Sequence, residues 1–86
     1  MKTALLLMVR HDARAIIPVE DVVRDYFPHL TPREFLRKTA RGDIPLPVVA
    51  IERSAKAARG VHLTELAAWI DRQAEAARRD LDNLTQ

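Results

Sequence analysis

At 86 residues, with 48% hydrophobic and 30% charged side chains, the chain suits one small domain with a modest core. It has no cysteine, which excludes a disulfide framework and thiolate chemistry, and no apolar run near the roughly 20 residues that a membrane span requires. The formal net charge of +2 conceals a segregation: residues 31–59 carry seven basic and three acidic side chains, residues 1–30 balance to zero and residues 60–86 are net negative. A localised basic patch matters more for a polyanionic partner than the total does.

Residues 3–11 (Thr-Ala-Leu-Leu-Leu-Met-Val-Arg-His) favour helix by propensity, since Ala, Leu and Met dominate, and a run this short also fits a strand. The stretch has no sizeable basic leader and no small-residue cleavage site, which argues against a signal peptide, so a soluble cytoplasmic chain is expected. Asp12 to Arg14 reads as a turn. Ala15-Ile16-Ile17 reads as extended, because the residue before Pro18 is pushed towards β. From Pro18 to Phe27 the apolar residues Val19, Val22, Val23, Tyr26 and Phe27 fall at i, i+3, i+4, i+7 and i+8, the mark of a helix with one buried face. Glu20 and Asp21 suit the positive end of its dipole. Valine is a mediocre helix former, so packing must hold this element.

Pro28 ends that helix, and Pro28-His29-Leu30 leads straight into the most strongly written stretch of the chain. Thr31 is a good N-cap, Pro32 sits where its missing N–H costs nothing, and Glu34 completes a capping box. Leu30 and Phe35 stand at the positions of a hydrophobic staple, and Gly42 suits the left-handed residue that closes the helix. These signals predict a helix over 32–41, joined to the one before it as a helix-turn-helix. Phe35, Leu36, Thr39 and Ala40 cluster on one side, while Arg33, Arg37 and Arg41 succeed one another at i, i+4 and i+8 opposite, flanked by Lys38. A solvated basic face accounts for this by itself; the charge partition and the character of the chain after Gly42 add weight to an anion-binding one.

Pro45 and Pro47 exclude helix from Asp43 to Pro47. Val48 to Ile51 is β-branched and reads as an edge strand, Glu52 to Arg59 as a basic loop with Arg53, Lys56 and Arg59, and Val61-His62-Leu63 as a second short strand. Strand, basic loop and strand after a helix-turn-helix make a wing. Thr64 is expected to cap the last helix, whose Leu66, Ile70, Ala74, Ala77, Leu81 and Leu84 recur at steps of four or three, with Trp69 beside the first turns. The early part closes the core. From Ala74 onward the helix is expected to project, its seam (Ala74, Ala77, Leu81, Leu84) either pairing with a second copy, packing on the protein's own N-terminal element or fraying as a charged tail.

Catalytic chemistry is missing from the pattern. His11, His29 and His62 are scattered without ligand spacing and read as surface or turn histidines, so no metal or other cofactor is expected. No P-loop, dinucleotide fingerprint or nucleophile motif appears, and an enzyme is not expected. Tyr26, Phe27, Phe35 and Trp69 all fall on apolar helix faces, which places them in the core and disfavours a single-strand or RNA reader built on exposed aromatics.

These features together resemble the pyocin activator protein family (PrtN), small bacterial transcriptional activators of bacteriocin genes. The resemblance spans roughly residues 2–73 and leaves the last 13 outside. It is carried by Thr3-Ala4-Leu5-Leu6-Leu7-Met8, Ala15-Ile16-Ile17-Pro18, Asp25-Tyr26-Phe27, His29-Leu30-Thr31, Phe35-Leu36-Arg37-Lys38, Gly42-Asp43-Ile44-Pro45-Leu46-Pro47 and Ala58-Arg59-Gly60-Val61-His62-Leu63. A broader similarity is to excisionase-type, AlpA-like and MerR-like winged helices, through the proline-rich entry to the wing and Ala68-Trp69-Ile70 in the closing helix. The fold expected is mostly α with a small β-hairpin wing, a single winged helix-turn-helix domain over residues 1–86. The resemblance implies promoter DNA binding and activation in a phage-derived or prophage-like setting, and it brings no catalytic residues.

The contacts expected rest on the residues themselves. Helix 32–41 enters the major groove with Thr31, Arg33 and Glu34 nearest the bases, Arg37 and Lys38 further along the exposed face, and Arg41 on a phosphate. Arg53, Ser54, Lys56 and Arg59 of the wing (residues 52–60) reach phosphates or the adjacent minor groove. The partners expected are double-stranded promoter DNA, a second copy or an array on repeated half-sites, and RNA polymerase or a regulatory protein. The same scaffold also serves a protein-binding adaptor or anti-activator, or an excisionase-like DNA bender.

Overall fold

Burial follows the helical spacing of the sequence. The computed structural model describes residues 2–50 and 58–85. Among them lie α1 (Lys2–Arg10), β1 (Ile16–Pro18), α2 (Val19–Tyr26), α3 (Pro32–Ala40), β2 (Val49–Ala50), β3 (Arg59–His62) and α4 (Leu63–Thr85). Mostly helical with a small antiparallel sheet, the arrangement is compatible with a helix-turn-helix and a wing. The first stretch is a helix, not a strand, and Leu7 is its buried residue.

Val19, Val22, Val23 and Phe27 turn the predicted face of α2 inward, and Phe35 meets them from α3. Leu63, Leu66 and Ala67 of α4, Ile17 and Val61 of the sheet, and Leu46 from the segment after α3 complete the core. The Phe27 and Phe35 rings lie 5.1 Å apart between centroids and Phe27 and Trp69 4.9 Å, all tilted, so three helices meet in one aromatic cluster. Tilted pairs of this kind add about 1 kcal/mol each beyond the area they bury. α1 packs on α4, where the Thr3 hydroxyl donates to Asp71 Oδ1 at 2.6 Å.

The sheet departs from a simple hairpin. Its order is β1-β3-β2, both pairings antiparallel, with Ile17 opposite Val61, and Gly60 opposite both Pro18 and Val49. Ile16 and Ile17, expected only to be extended, form an edge strand; edge positions tolerate Pro18, which has no N–H to give a second neighbour. β2 is the other edge. Gly60 lies where β1 crosses most closely: a Cβ there falls 2.5 Å from Ile16 Cγ2 and 2.8 Å from the Ile17 carbonyl oxygen. Ile51 to Ala57, the expected end of one strand and most of the basic loop, lie outside the described residues.

Four local expectations are corrected. The second wing strand covers Arg59–His62, and Leu63 is already helical. Thr64 therefore lies inside α4, and the cap is the ring of His62, whose Nδ1 accepts from the Thr64 N–H at 3.2 Å. β3 runs into α4 without a loop, which puts the helix start two residues earlier than a threonine cap at Thr64 requires. His11 is not a surface histidine: it is 2% exposed, with Nε2 3.1 Å from the Tyr26 hydroxyl and 3.9 Å from Asp25 Oδ2. Helix α3 ends at Ala40, with Arg41 as its C-cap, one residue short of the expected 32–41. Beyond Ile70 every described residue of α4 is exposed except half-buried Ala76, so Ala74, Ala77, Leu81 and Leu84 all meet solvent.

Gly60→Ala is expected to lower stability by about 2 kcal/mol, because the backbone of β1 cannot give way as a side chain does. Phe35→Ala should cost more, on the order of 3 kcal/mol, by removing a fully buried ring that packs on Phe27. Urea unfolding followed by circular dichroism measures both; equal stability of Gly60→Ala and the parent would remove close approach as the reason for this glycine.

Candidate nucleic-acid interface

Helix α3 has nine residues, too few to persist alone, so its ends and inner face decide whether its outer face is ordered. At the start, the Thr31 N–H donates to Glu34 Oε1 at 2.9 Å and the Glu34 N–H donates to Thr31 Oγ1 at 3.1 Å, the reciprocal capping box. At the end, the Asp43 N–H donates to the Lys38 carbonyl and the Gly42 N–H to the Thr39 carbonyl, with Gly42 at φ +82°. That pair of bonds is the Schellman closure, which needs a left-handed residue where Gly42 stands. Fully buried Phe35 pins the inner face.

The outer face is cationic. Arg33, Arg37 and Arg41 are exposed and Lys38 is half-buried. Arg41 is held 2.7 Å from Asp43 Oδ2 in a surface ion pair. Among the described residues no ion pair involves Arg33, Arg37, Lys38 or Arg59. The cations of α1, α2 and the turn between α1 and β1 are placed differently: Arg10 meets Asp25, Arg14 meets Asp21, and Arg24 meets both aspartates, at 2.9–3.1 Å. The three arginines of residues 1–30 are therefore matched in space by two aspartates.

The structure also brings Arg59 to α3, a juxtaposition that residue spacing did not reveal. Leu36, Arg37, Thr39 and Ala40 of α3 line an open groove of about 610 Å³ together with Leu46, Pro47, Val48 and Arg59. Two arginines 22 positions apart thus share one groove with apolar side chains of Leu36, Leu46 and Val48. Leu46-Pro47-Val48 was legible only as extended chain; its prolines marked the conformation without showing which helix it runs beside. Of the other residues expected to make contacts, Thr31 and Glu34 engage Oγ1 and Oε1, respectively, in the cap. Arg53, Ser54 and Lys56 lie outside the described residues.

The two carboxyls nearby are tuned in one direction, downwards. The hydrogen bond from Arg24 holds the Asp25 carboxyl below its ordinary 3.8, against the opposing effect of burial and with help from Arg10. The Thr31 backbone N–H, then its hydroxyl, hold the Glu34 carboxyl below 4.5. Burial, then the Asp25 carboxylate, raises the Tyr26 phenol. Among the described residues no three His, Asp or Glu side chains converge as a metal site, and no helix is long and apolar enough to cross a membrane.

In comparison with known proteins, a family model described as pyocin activator protein PrtN matches residues 3–77. The range takes in α2, α3, the sheet and the first part of α4. No curated protein and no solved structure matches the chain.

Thr31→Ala is expected to cost about 1 kcal/mol of stability, the usual worth of an N-cap side chain. Both carboxyls have depressed folded-state values, so near pH 4 the folded chain binds fewer protons than the unfolded one. Their contribution is complete above the ordinary values and is lost as pH falls through the depressed ones. Urea midpoints taken from pH 6 downwards should drop below about pH 4.5, and the drop should be shallower in Asp25→Asn.

Proposed function

This chain belongs to the pyocin activator protein family, and on that premise we propose that it is a transcriptional activator that binds double-stranded promoter DNA sequence-specifically through α3. The reading rests on one observation above the others: a helix capped at both ends and anchored by a buried phenylalanine turns Arg33, Arg37 and Lys38 away from the core, unpaired among the described residues. Like charges so arranged repel one another unless an anion lies across them. The aromatic cluster points the same way, since Phe27 and Phe35 are buried and unavailable for stacking on unpaired bases.

In this reading the unit is a winged helix-turn-helix. α2 lies near the DNA backbone and α3 enters the major groove, its N-terminal turn nearest the base edges. Arg33 is then the cation closest to the bases. Thr31 and Glu34 keep each other in the capping box, so they set the start of the helix against the groove and leave base reading chiefly to their neighbours. Arg37 binds the O6/N7 edge of a guanine bidentately or clamps a phosphate, with Lys38 beside it. Arg59, in the same groove as Arg37, takes the adjoining backbone, and Arg53, Ser54 and Lys56 extend that contact as the wing. Arg41 must leave Asp43 to reach a phosphate, so it contributes less than Arg37.

Arg37→Ala is expected to weaken specific binding by about 1–3 kcal/mol with stability nearly unchanged, and Arg41→Ala by less. Fluorescence anisotropy against the gene's own upstream region and a random duplex, across a salt series, tests this directly. A sequence-specific regulator prefers the upstream duplex and shows a log–log salt slope of several units, at about −0.9 per phosphate neutralised. Absence of binding even at low salt would exclude DNA as the partner, and equal binding by Arg37→Ala and the parent at matched salt would remove this residue from the interface.

A further inference from the structure

The N-terminal helix carries an apolar surface that its own domain does not use. In α1 only Leu7 is buried, while Leu5 and Leu6 are 62% and 63% exposed, Val9 is 82% exposed and Met8 is 40% exposed. A helix that is apolar around most of its circumference is normally covered on more than one side. α1 is covered by its own domain on one side, where it packs on α4. A second unclaimed apolar surface lies at the far end of α4, where Leu81 and Leu84 are 60% and 84% exposed. It continues in step the seam that is buried at Leu63, Leu66 and Ala67.

We infer that a second copy of this chain covers both surfaces in a crossed, two-fold contact: the outer face of α1 of each copy packs on the α4 tail of the other. Area favours this arrangement over simple α1-to-α1 pairing. The exposed part of the four α1 side chains is on the order of 400 Å², within the range of the largest patch on an ordinary monomer. With the two tail leucines it reaches roughly 600 Å² per copy, or roughly 1,200 Å² in all, the lower bound of stable specific interfaces. Charge agrees. α1 has no carboxylate, and with Arg10 held by Asp25 it presents Lys2; on the tail Glu75 is held by Arg78, and Asp80 and Asp82 outnumber Arg79. Pairing α1 with α1 sets cations against cations; the crossed contact sets them against a net negative helix. The two-fold symmetry repeats each contact, so one pair of complementary surfaces suffices. The surface is also separate from the cationic face, because α3 packs on α2 and α1 on α4.

Sedimentation equilibrium without DNA tests the contact independently of any nucleic-acid binding. The parent is expected to form a dimer, and two variants, Leu6→Gln with Val9→Gln and Leu81→Gln with Leu84→Gln, each to weaken it about tenfold or more while keeping the parent's helix content. Leu6→Ala with Val9→Ala serves where the glutamine pair disturbs α1. Mixing the α1 variant with the α4 variant decides the geometry. In a crossed dimer the mixed pair retains one wholly native α1–tail contact and associates more tightly than either variant alone. A parent that stays monomeric at the highest concentrations overturns the inference, as does a dimer indifferent to the α1 substitutions. A mixture no tighter than its components overturns the crossed arrangement.

Discussion

The contact of Phe27 with Phe35 on one side and Trp69 on the other is what the rest of the molecule is arranged around. It joins the end of α2, the middle of α3 and the second turn of α4 at a single point. Helices of eight and nine residues have little stability of their own. Their helicity depends on burying these rings, and on Val19, Val22 and Val23 closing around them. Every side chain on the outer surface of α3 takes its direction from the placing of Phe35.

Local bonding then completes what the cluster begins. The capping box and the Schellman turn satisfy backbone groups at both ends of α3, so the helix neither frays nor extends. A cationic face held in one geometry before it meets an anion loses less conformational entropy on binding than one that must be ordered by it. The electrostatics reinforce the difference between the two halves of the helix pair. Asp21 and Asp25 absorb Arg10, Arg14 and Arg24 on the α1–α2 side, and they leave the positive potential to α3. Membership of an activator family and this distribution of charge lead to the same reading of α3.

The sheet has a structural role that its size understates. β3 lies between two edge strands and runs without a loop into α4, so it fixes the start of the longest helix relative to α2 and to the groove beside α3. Gly60 at its centre admits β1 at a distance that no side chain tolerates. Through this packing Arg59 comes to share a groove with Arg37.

The chain by itself determined whatever depends on neighbours within about one turn. The boundaries of α3, its cap at Thr31, its closure at Gly42, the apolar face of α2 and the sign of each face were legible, because these follow from side chains three or four positions apart and from proline and glycine geometry. What only the tertiary structure decided depends on residues far apart. Ile16 and Ile17 became a strand because β3 offers them partners 44 or more positions away. His62 displaced Thr64 as the cap of α4 because the sheet carries the chain directly into the helix. His11 went inside because the end of α1 brings it against Tyr26, 15 positions further on. Local periodicity carries no term for such meetings; they arise when separate apolar faces share one small core, and that sharing alone set which cations stand together.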